Sequence, residues 1–549
     1  MKPRLANALW VASCWPEWRR FLYAAENMQE TQAELLSRYM AQNKTTEYGE
    51  RYHFNGVNSP SQYQARVPLT TYDDYIEYIT RIGVGVRSVL TNESVRMFEL
   101  SSGSTAASKL IPYTAALKAD FQRGIAPWIY NLYTSIPQLQ GGPAYWSITP
   151  LTDGKRFTEA GIPIGFESDS EYLGILGKWL ADSVMAVPNA VKNISDVDSF
   201  RYVTLLHLLR QPDLRLISVW NPTFLSLLIE SLPKWWDSLM HDIERGIVNR
   251  PDVELRFVPR PELARALKAL DPSDAKSLWP RLRLISCWMD GASAVYARRL
   301  TEMFPQAALQ AKGLLATEAF VSIPIAGVEG SVLSIRSHFF EFTDDTGEIL
   351  LAHQIQKGKT YSVVVTTGGG LYRYQLQDVV EVMGHWKQAP RIRFVGKADH
   401  ISDWFGEKLE ERFVANVLET LFARHQIFPT FAMLAPDDMD GFRYVLYLES
   451  DGRARDILAA ELDSALRENF HYDYCRKLGQ LHGAQIQHVT RGVETYLMAC
   501  QSRGQRLGNI KVSVLQKNTG WQDWFASPSS PTLPPTGKGV PSPIAKGLG

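Results

Sequence analysis

Four hydroxyls and a lysine surround one glycine in Phe98–Lys109, which reads Phe-Glu-Leu-Ser-Ser-Gly-Ser-Thr-Ala-Ala-Ser-Lys and runs on into Leu-Ile-Pro-Tyr-Thr. Gly103 frees the backbone to turn its N–H groups inward, and Ser101, Ser102, Ser104 and Thr105 add donors. Lys109 supplies a positive charge on a flexible stem, as phosphate-binding loops do. The spacing is not that of a Walker loop, G-x-x-x-x-G-K-[ST]. Taken alone, the stretch reads either as a phosphate cradle or as a solvated Ser/Thr/Gly turn.

Other reactive stretches lie further on. Ala316-Thr-Glu318 closes a small-residue turn, and Thr366-Thr-Gly-Gly-Gly-Leu-Tyr-Arg-Tyr-Gln-Leu-Gln-Asp378 puts three glycines and a carboxylate after an apolar run. Consecutive glycines there imply a tight turn beside a ligand or another backbone. There is no G-x-S-x-G elbow and no G-x-G-x-x-G fingerprint, which argues against a hydrolase or a dinucleotide enzyme. The eleven histidines show no H-x-x-x-H spacing, so a zinc hydrolase is disfavoured.

Composition narrows the partners. Lysine plus arginine equals aspartate plus glutamate, 58 against 58, whereas nucleic-acid binders carry a basic excess. Cys14, Cys287, Cys475 and Cys500 are scattered without a C-x-x-C pair, which fits a reducing cytoplasm. The most apolar long stretch, Leu214–Leu232, contains Arg215, Glu230 and Asn221-Pro222, so no membrane span is expected. The N-terminus lacks the pattern of a signal peptide.

The elements that must position these groups alternate. Residues 1–50 read as helix, with Trp10, Trp15, Trp18, Leu22, Leu35, Leu36 and Tyr39 as a packing stripe. Thr70 or Thr71 is expected to cap a helix with Asp73 and Asp74 in its first turn. Tyr113–Ile136 is helical in pattern, so the serine-rich loop would feed a helix N-terminus, where anions are favoured. Leu216–Trp220 and Leu282–Trp288 read as buried strands, Phe200–Leu209, Pro222–Leu232 and Ala294–Met303 as helices. Strands then dominate: Ser331–Ile335, Phe339–Phe342, Thr360–Thr366, Val379–Met383 and Arg391–Val395. The pattern predicts an α/β protein with mixed sheets flanked by helices over 1–395, a polar hinge over 396–408, and a small α+β domain over 409–526. A Pro/Ser/Gly-rich tail, 527–549, is expected to be disordered.

A Ser/Thr/Gly loop with lysine, a turn ending in Thr-Glu, and a Tyr-Arg-Tyr…Asp turn before a hinge together resemble the adenylate-forming superfamily. Eight stretches in order are most similar to the Gretchen Hagen 3 acyl-acid amido synthetases in bacterial form: Thr45-Thr-Glu-Tyr-Gly, Val67-Pro-Leu-Thr-Thr-Tyr, Ser101-Ser-Gly-Ser-Thr with Lys109-Leu-Ile-Pro, Trp220-Asn-Pro-Thr, Leu284-Ile-Ser-Cys-Trp, Lys312-Gly-Leu-Leu-Ala-Thr-Glu, Thr366-Thr-Gly-Gly-Gly-Leu-Tyr-Arg-Tyr and Gly406-Glu-Lys-Leu.

The resemblance implies a luciferase-like fold whose small domain is mobile and rotates between half-reactions, and a cytoplasmic ligase that uses ATP and Mg2+. A carboxylic acid would become an acyl-adenylate, then an amide with an amine or amino acid. Transfer to a thiol, or ligand binding without turnover, are the alternatives. The resemblance also implies that Ser101, Ser102, Gly103, Ser104 and Thr105 hold phosphate oxygens with Lys109 nearby. By the same likeness, Ala316 and Thr317 would lie at the α-phosphate, Glu318 at Mg2+, Asp378 at the ribose, and Tyr372 and Phe394 around the nucleotide. Lys408 and Lys511 would be the catalytic lysines; the other reading makes them a solvated helix-start lysine and an exposed strand lysine. Arg373 would orient its turn. Gln375 and Gln377 depart from the Arg and Gly usual in Tyr-Arg-Tyr-Arg-x-Gly-Asp, and Lys-Val-Ser replaces Lys-x-Pro. The acyl pocket is expected near Trp220, Trp288 and Phe320.

Overall fold

Two helices, Pro3–Glu26 and Met28–Asn43, open the chain. Trp10, Cys14, Phe21 and Ala25 form the inward face of the first, at helical spacing. The predicted stripe needs a correction here. Trp15 is 46% exposed, because five residues beyond Trp10 rotate it about 140° from that face. The structure is a computed structural model and describes residues 3–101, 109–147, 156–165, 183–251, 253–290, 293–397, 400–439, 441–450, 456–503, 505 and 510–526. Ser102, Gly103, Ser104, Thr105 and the expected tail lie outside the described residues.

The serine-rich stretch does not feed a helix directly. Lys109–Tyr113 is a strand, antiparallel to Met97–Ser101 with Ser101 opposite Lys109. The run Leu-Ile-Pro-Tyr pairs as a strand because Pro112 resists the helical state of its predecessor. Helix Ala115–Ser135 starts only after Thr114, whose hydroxyl accepts the Leu117 N–H. Near Thr71 the capping is also reversed: the Asp74 carboxylate accepts the Thr71 N–H, while the Thr70 hydroxyl donates to the Tyr372 carbonyl.

A four-stranded parallel sheet forms one layer, in the order Ala308–Ala311, Leu284–Cys287, Leu216–Ser218, Ala144–Trp146. Both faces are covered, as parallel sheets require. Ile217 and Ile285 pack with helices Val197–Leu209, Pro222–Glu230 and Leu232–Arg245, while Leu216 and Leu284 belong to the core around Ala115–Ser135.

The second large sheet has seven strands, ordered Ser322–Pro324, Ser331–Leu333, Ala389–Lys397, Tyr374–Trp386, Thr360–Thr366, Phe339–Thr343, Ile349–Leu351. Thr367–Gly370 turns out of Thr360–Thr366 against helix Ala115–Ser135. Gly368 donates to Asp120, and Gly370 has a φ of +93°. A Cβ on Gly368 would stand 2.7 Å from the Asp120 carboxylate, so the glycines serve close approach to another backbone element. Asp120 also accepts the Tyr39 hydroxyl and pairs with Arg123. After the turn, Arg373 is buried in the left-handed region. Its Nε donates to both Glu341 oxygens at 3.2 and 3.0 Å, and its Nη1 to the Val67 and Gln64 carbonyls.

By contacts the chain forms two units, Met1–Ile401 with Cys500–Ser513, and Ser402–Ala499 with Val514–Gly549. The second holds a three-stranded sheet, Pro429–Asp437, Arg443–Ser450, Gln485–His488, with helices Glu411–His425, Asp456–Leu466 and Phe470–Lys477. Among the described residues no helix is long and apolar enough to cross a membrane.

The Arg373–Glu341 pair is almost wholly inaccessible, at 3% and 1% side-chain exposure. Glu341→Ala is therefore expected to lower unfolding stability by about 3–5 kcal/mol, because it strands a buried guanidinium. Urea denaturation checks this; adding Arg373→Met should recover part of the loss.

Candidate active site

Three elements converge in the larger unit. The strand Lys109–Tyr113 carries Lys109, whose Nζ lies 5.5 Å from the Tyr72 ring centre. At the other end of that strand, the Tyr113 hydroxyl donates to the Thr317 carbonyl and ties the strand to the Ala316–Ala319 turn. That turn is closed by reciprocal backbone bonds between Ala316 and Ala319. The third element is the hairpin of Tyr374–Trp386 and Ala389–Lys397, where Asp378 faces Lys397 in register.

The charges of this group act on one another. Glu318 is buried, and desolvation raises its pKa above the usual carboxylate range. Lys397 and Lys109 oppose that rise, and the Asp378 charge adds to it. Asp378 is itself buried and pairs with Lys397 at 3.3 Å. Tyr72 and Tyr374 complete the wall. Burial raises both phenols, and the Glu318 carboxylate raises them further. Thus Ser101, Lys109, Ala316, Thr317, Glu318 and Asp378 are brought together on three linked elements.

Phe394 and Lys511 meet nearby. Lys511 Nζ stands 4.2 Å from the Trp288 ring centre and 5.8 Å from that of Phe394. Lys511 is exposed and lies in an irregular segment, so the alternative reading of it as a strand lysine does not hold. Its neighbour Ile510 offers its carbonyl to Asn221 Nδ2 at 3.0 Å, while Asn221 Oδ1 caps helix Pro222–Glu230 through Thr223. The Trp220-Asn-Pro-Thr stretch therefore holds the lysine segment as well as starting a helix. Beside it, the Asp290 carboxylate accepts the Phe394 N–H, and burial pushes its pKa up to about 6.

Two further predicted site residues have other surroundings. Tyr372 is fully buried, stacked on Tyr48 at 4.9 Å with its hydroxyl donating to the Leu90 carbonyl. It is part of the packing behind the turn. Lys408 belongs to the smaller unit, exposed and in the left-handed region. Next to it, the buried Glu407 carboxylate accepts the Trp404 and Phe405 N–H groups and the Tyr444 hydroxyl. Lys397 is the residue that sequence reasoning passed over. The strand that carries it runs through Gly396 and Lys397 rather than ending at Val395. A lysine at the end of an alternating strand, register-paired with a carboxylate, was the available signal.

Asp378 is not in a turn; Tyr374–Trp386 already pairs as a strand, with a bulge opposite Ser362–Val364. Within the bulge Gln377 has a φ of +63°, the conformation glycine tolerates best. The Gln377 departure is therefore a backbone matter beside Asp378. Gln375 donates its N–H to the Thr70 carbonyl, and its side chain is half-buried. Gln377→Gly is expected to raise stability by about 1 kcal/mol, from relief of left-handed strain. Thermal denaturation of the two proteins measures it; a loss of that size would refute the assignment.

Comparison with known proteins agrees with this layout. The GH3 family N-terminal domain matches residues 17–309, the GH3 central domain 331–397 and the GH3 C-terminal domain 412–520. Indole-3-acetic acid-amido synthetase GH3.2 of Arabidopsis thaliana is 25% identical over 477 residues, 78% of this chain and 85% of that protein. Jasmonoyl–L-amino acid synthetase JAR6 of Nicotiana attenuata is 25% identical over 507 residues, 84% of this chain and 86% of that one. The solved GH3.15 acyl acid amido synthetase shares the fold, with a TM-score of 0.80 at 22% identity, covering 91% of this chain and 94% of that chain. With three family domains matched in order along most of its length, this chain belongs to the GH3 family.

Proposed function

We propose that this protein is an acyl-acid amido synthetase that adenylates a carboxylic acid with ATP and passes the acyl group to an amine, in the simplest case an amino acid. One observation carries the reading: Lys109, Thr317 and Lys397 gather around the buried carboxylates of Glu318 and Asp378, and the charges of this group act on one another. In the first step a carboxylate oxygen attacks the α-phosphorus and pyrophosphate leaves with the electrons of the broken P–O bond. In the second, the amine nitrogen attacks the acyl carbonyl, AMP departs with the C–O electrons, and the nitrogen gives up a proton.

Anionic attack on a polyphosphate needs positive charge and fixed donors. Ser101, Ser102, Gly103, Ser104, Thr105 and Lys109 serve the phosphates in this reading, with Ala316 and Thr317 at the α-phosphate. Asp378, oriented by Lys397, takes the ribose hydroxyls, and Phe394 lines the nucleotide site. Lys511, against Trp288 and Phe394, is the lysine of the adenylation step. Lys408 acts from the smaller unit, which moves between the half-reactions about a hinge that follows Lys397. Tyr372 supports the site from the core.

Glu318 suits Mg2+, which takes one or two carboxylates and fills its shell with phosphate oxygens and water. Among the described residues no group of three or more His, Cys, Asp and Glu gathers into an all-protein cage. Bound there, the ion would offset phosphate charge. A cytoplasmic setting is supported by four buried cysteines, none in a disulfide.

Lys511→Ala is expected to lower acid-dependent hydroxamate formation about a hundredfold or more while ATP still binds. Equal loss of binding would contradict the role. A second expectation concerns pH. Glu318 must be ionised to hold Mg2+, and its pKa lies above the ordinary value. ATP affinity measured with Mg2+ by calorimetry should therefore fall at a higher pH than an ordinary glutamate would give. Removing a charge that opposes the shift, by Lys397→Met, should move that fall to still higher pH.

A further inference from the structure

The Ala316–Ala319 turn is held at both ends by side chains from other elements. Tyr113 takes its entry through the Thr317 carbonyl, and His338 takes its exit. The Phe320 N–H, the first after the turn, donates to His338 Nε2 at 2.9 Å. An accepting Nε2 leaves the ring proton on Nδ1, and Nδ1 faces the Asp120 carboxylate at 3.7 Å. That carboxylate accepts the Gly368 N–H at 2.9 Å, in the turn that leads through Arg373 to Asp378. One imidazole and one carboxylate thus stand between the loop that carries Glu318 and the loop that leads to Asp378.

Packing alone would not call for a histidine here. Both side chains are shut off from water, at 0% and 1% exposure. Burial and the Arg123 charge push the His338 pKa down to about 3, so the ring is a neutral, desolvated dipole. Its Nδ1 has no hydrogen-bond partner, a cost that a phenyl ring would avoid. The ring stands edge-on to Phe121 and Phe340 at 5.9 and 6.0 Å, contacts that phenylalanine would make as well. What the imidazole adds is the acceptor for Phe320. Gln32 fixes its place, because the amide donates to the His338 carbonyl and accepts the Phe340 N–H. On the other side the Phe320 ring lies so close to Gly124 that a Cβ there would stand 2.3 Å from it. The residue that follows the turn is thus clamped on its backbone by His338 and on its ring by helix Ala115–Ser135.

We infer that His338 is a positioning residue for Glu318: through the Phe320 N–H it sets where that carboxylate stands relative to Asp378, and so the affinity of the site for ATP in the presence of Mg2+. The inference rests on the adenylation reading for the ligand, while nucleotide binding is measured without acid or turnover. The test is calorimetric titration of the full chain with ATP, once with Mg2+ and once with a chelator in its place. His338→Phe keeps the shape of the ring and removes the acceptor. It should weaken ATP binding with Mg2+ about tenfold, the scale of an orphaned buried donor, and change it less than about twofold without. His338→Gln should stay within about threefold of the unaltered protein, because its amide reaches the place of Nε2. A histidine that served stability alone would lower the melting temperature and leave the ratio of the two affinities unchanged.

Equal loss with and without Mg2+ overturns the inference, as does no loss at all, or a His338→Gln protein no better than His338→Phe. If His338→Phe does not fold, His338→Asn is compared with His338→Gln. The two amides differ by one methylene and only the longer reaches Phe320, so the shorter should bind ATP with Mg2+ about tenfold more weakly. Equal affinities overturn the inference. Acid-dependent pyrophosphate exchange is followed in parallel. Its absence alongside the selective loss in His338→Phe would strike the adenylation reading and leave the positioning role standing. Exchange without the selective loss does the reverse, and no ATP binding by the unaltered protein overturns both.

Discussion

Two carboxylates held almost out of water, each within reach of the other's charge, set the terms for the rest of this structure. Desolvation alone would drive Glu318 toward its neutral form, and the charge of Asp378 pushes the same way. Lys397 and Lys109 work against that, and each comes from a different element. The group is stable as charges only while the Lys109 strand, the Ala316–Ala319 turn and the Asp378 hairpin keep their spacing. Polyphosphate chemistry needs such an arrangement, because the site must offer positive charge to the phosphates and a carboxylate to a metal or ribose.

The scaffold supplies that spacing by ordinary means. Tyr113 links strand to turn, and Arg373 with Glu341 fixes the turn that precedes Asp378. Asp120 holds the glycine turn against helix Ala115–Ser135. Asn221 caps one helix and grips the backbone beside Lys511. Most of these contacts span hundreds of residues in sequence, so the site is assembled by the whole of the larger unit rather than by any one segment.

How much of this was legible in the sequence varies with the kind of signal. Ala294–Met303 and Thr360–Thr366 match their expected bounds, since long periodic runs with clear punctuation leave little choice. The family was legible from ordered short stretches, because glycine, hydroxyl and carboxylate positions carry backbone and charge constraints. The strand Lys109–Tyr113 was not, since a short apolar run before a helix looks like its first turn. Helix Leu232–Arg245 was hidden by Pro233, which sits harmlessly in the first turn. Strand Pro429–Asp437 went unread because its middle, Phe431–Ala435, is a continuous apolar run without alternation and it opens on proline. Tyr372 looked like a site residue by its place in the motif. Only packing shows that it lies behind the site, while Lys397, read as part of a polar connector, stands within it. The left-handed φ of Gln377 likewise depends on a bulge that no local pattern announces.

The central claim is that the Glu318–Asp378–Lys397 group serves acyl-adenylate formation. Acid-dependent ATP–pyrophosphate exchange, scanned over aromatic and fatty acids, tests it most directly, with Asp378→Ala as the comparison. Exchange with one class of acid that disappears in Asp378→Ala is the predicted result. Exchange that survives Asp378→Ala undiminished, or no exchange and no ATP binding with any acid, would contradict the claim.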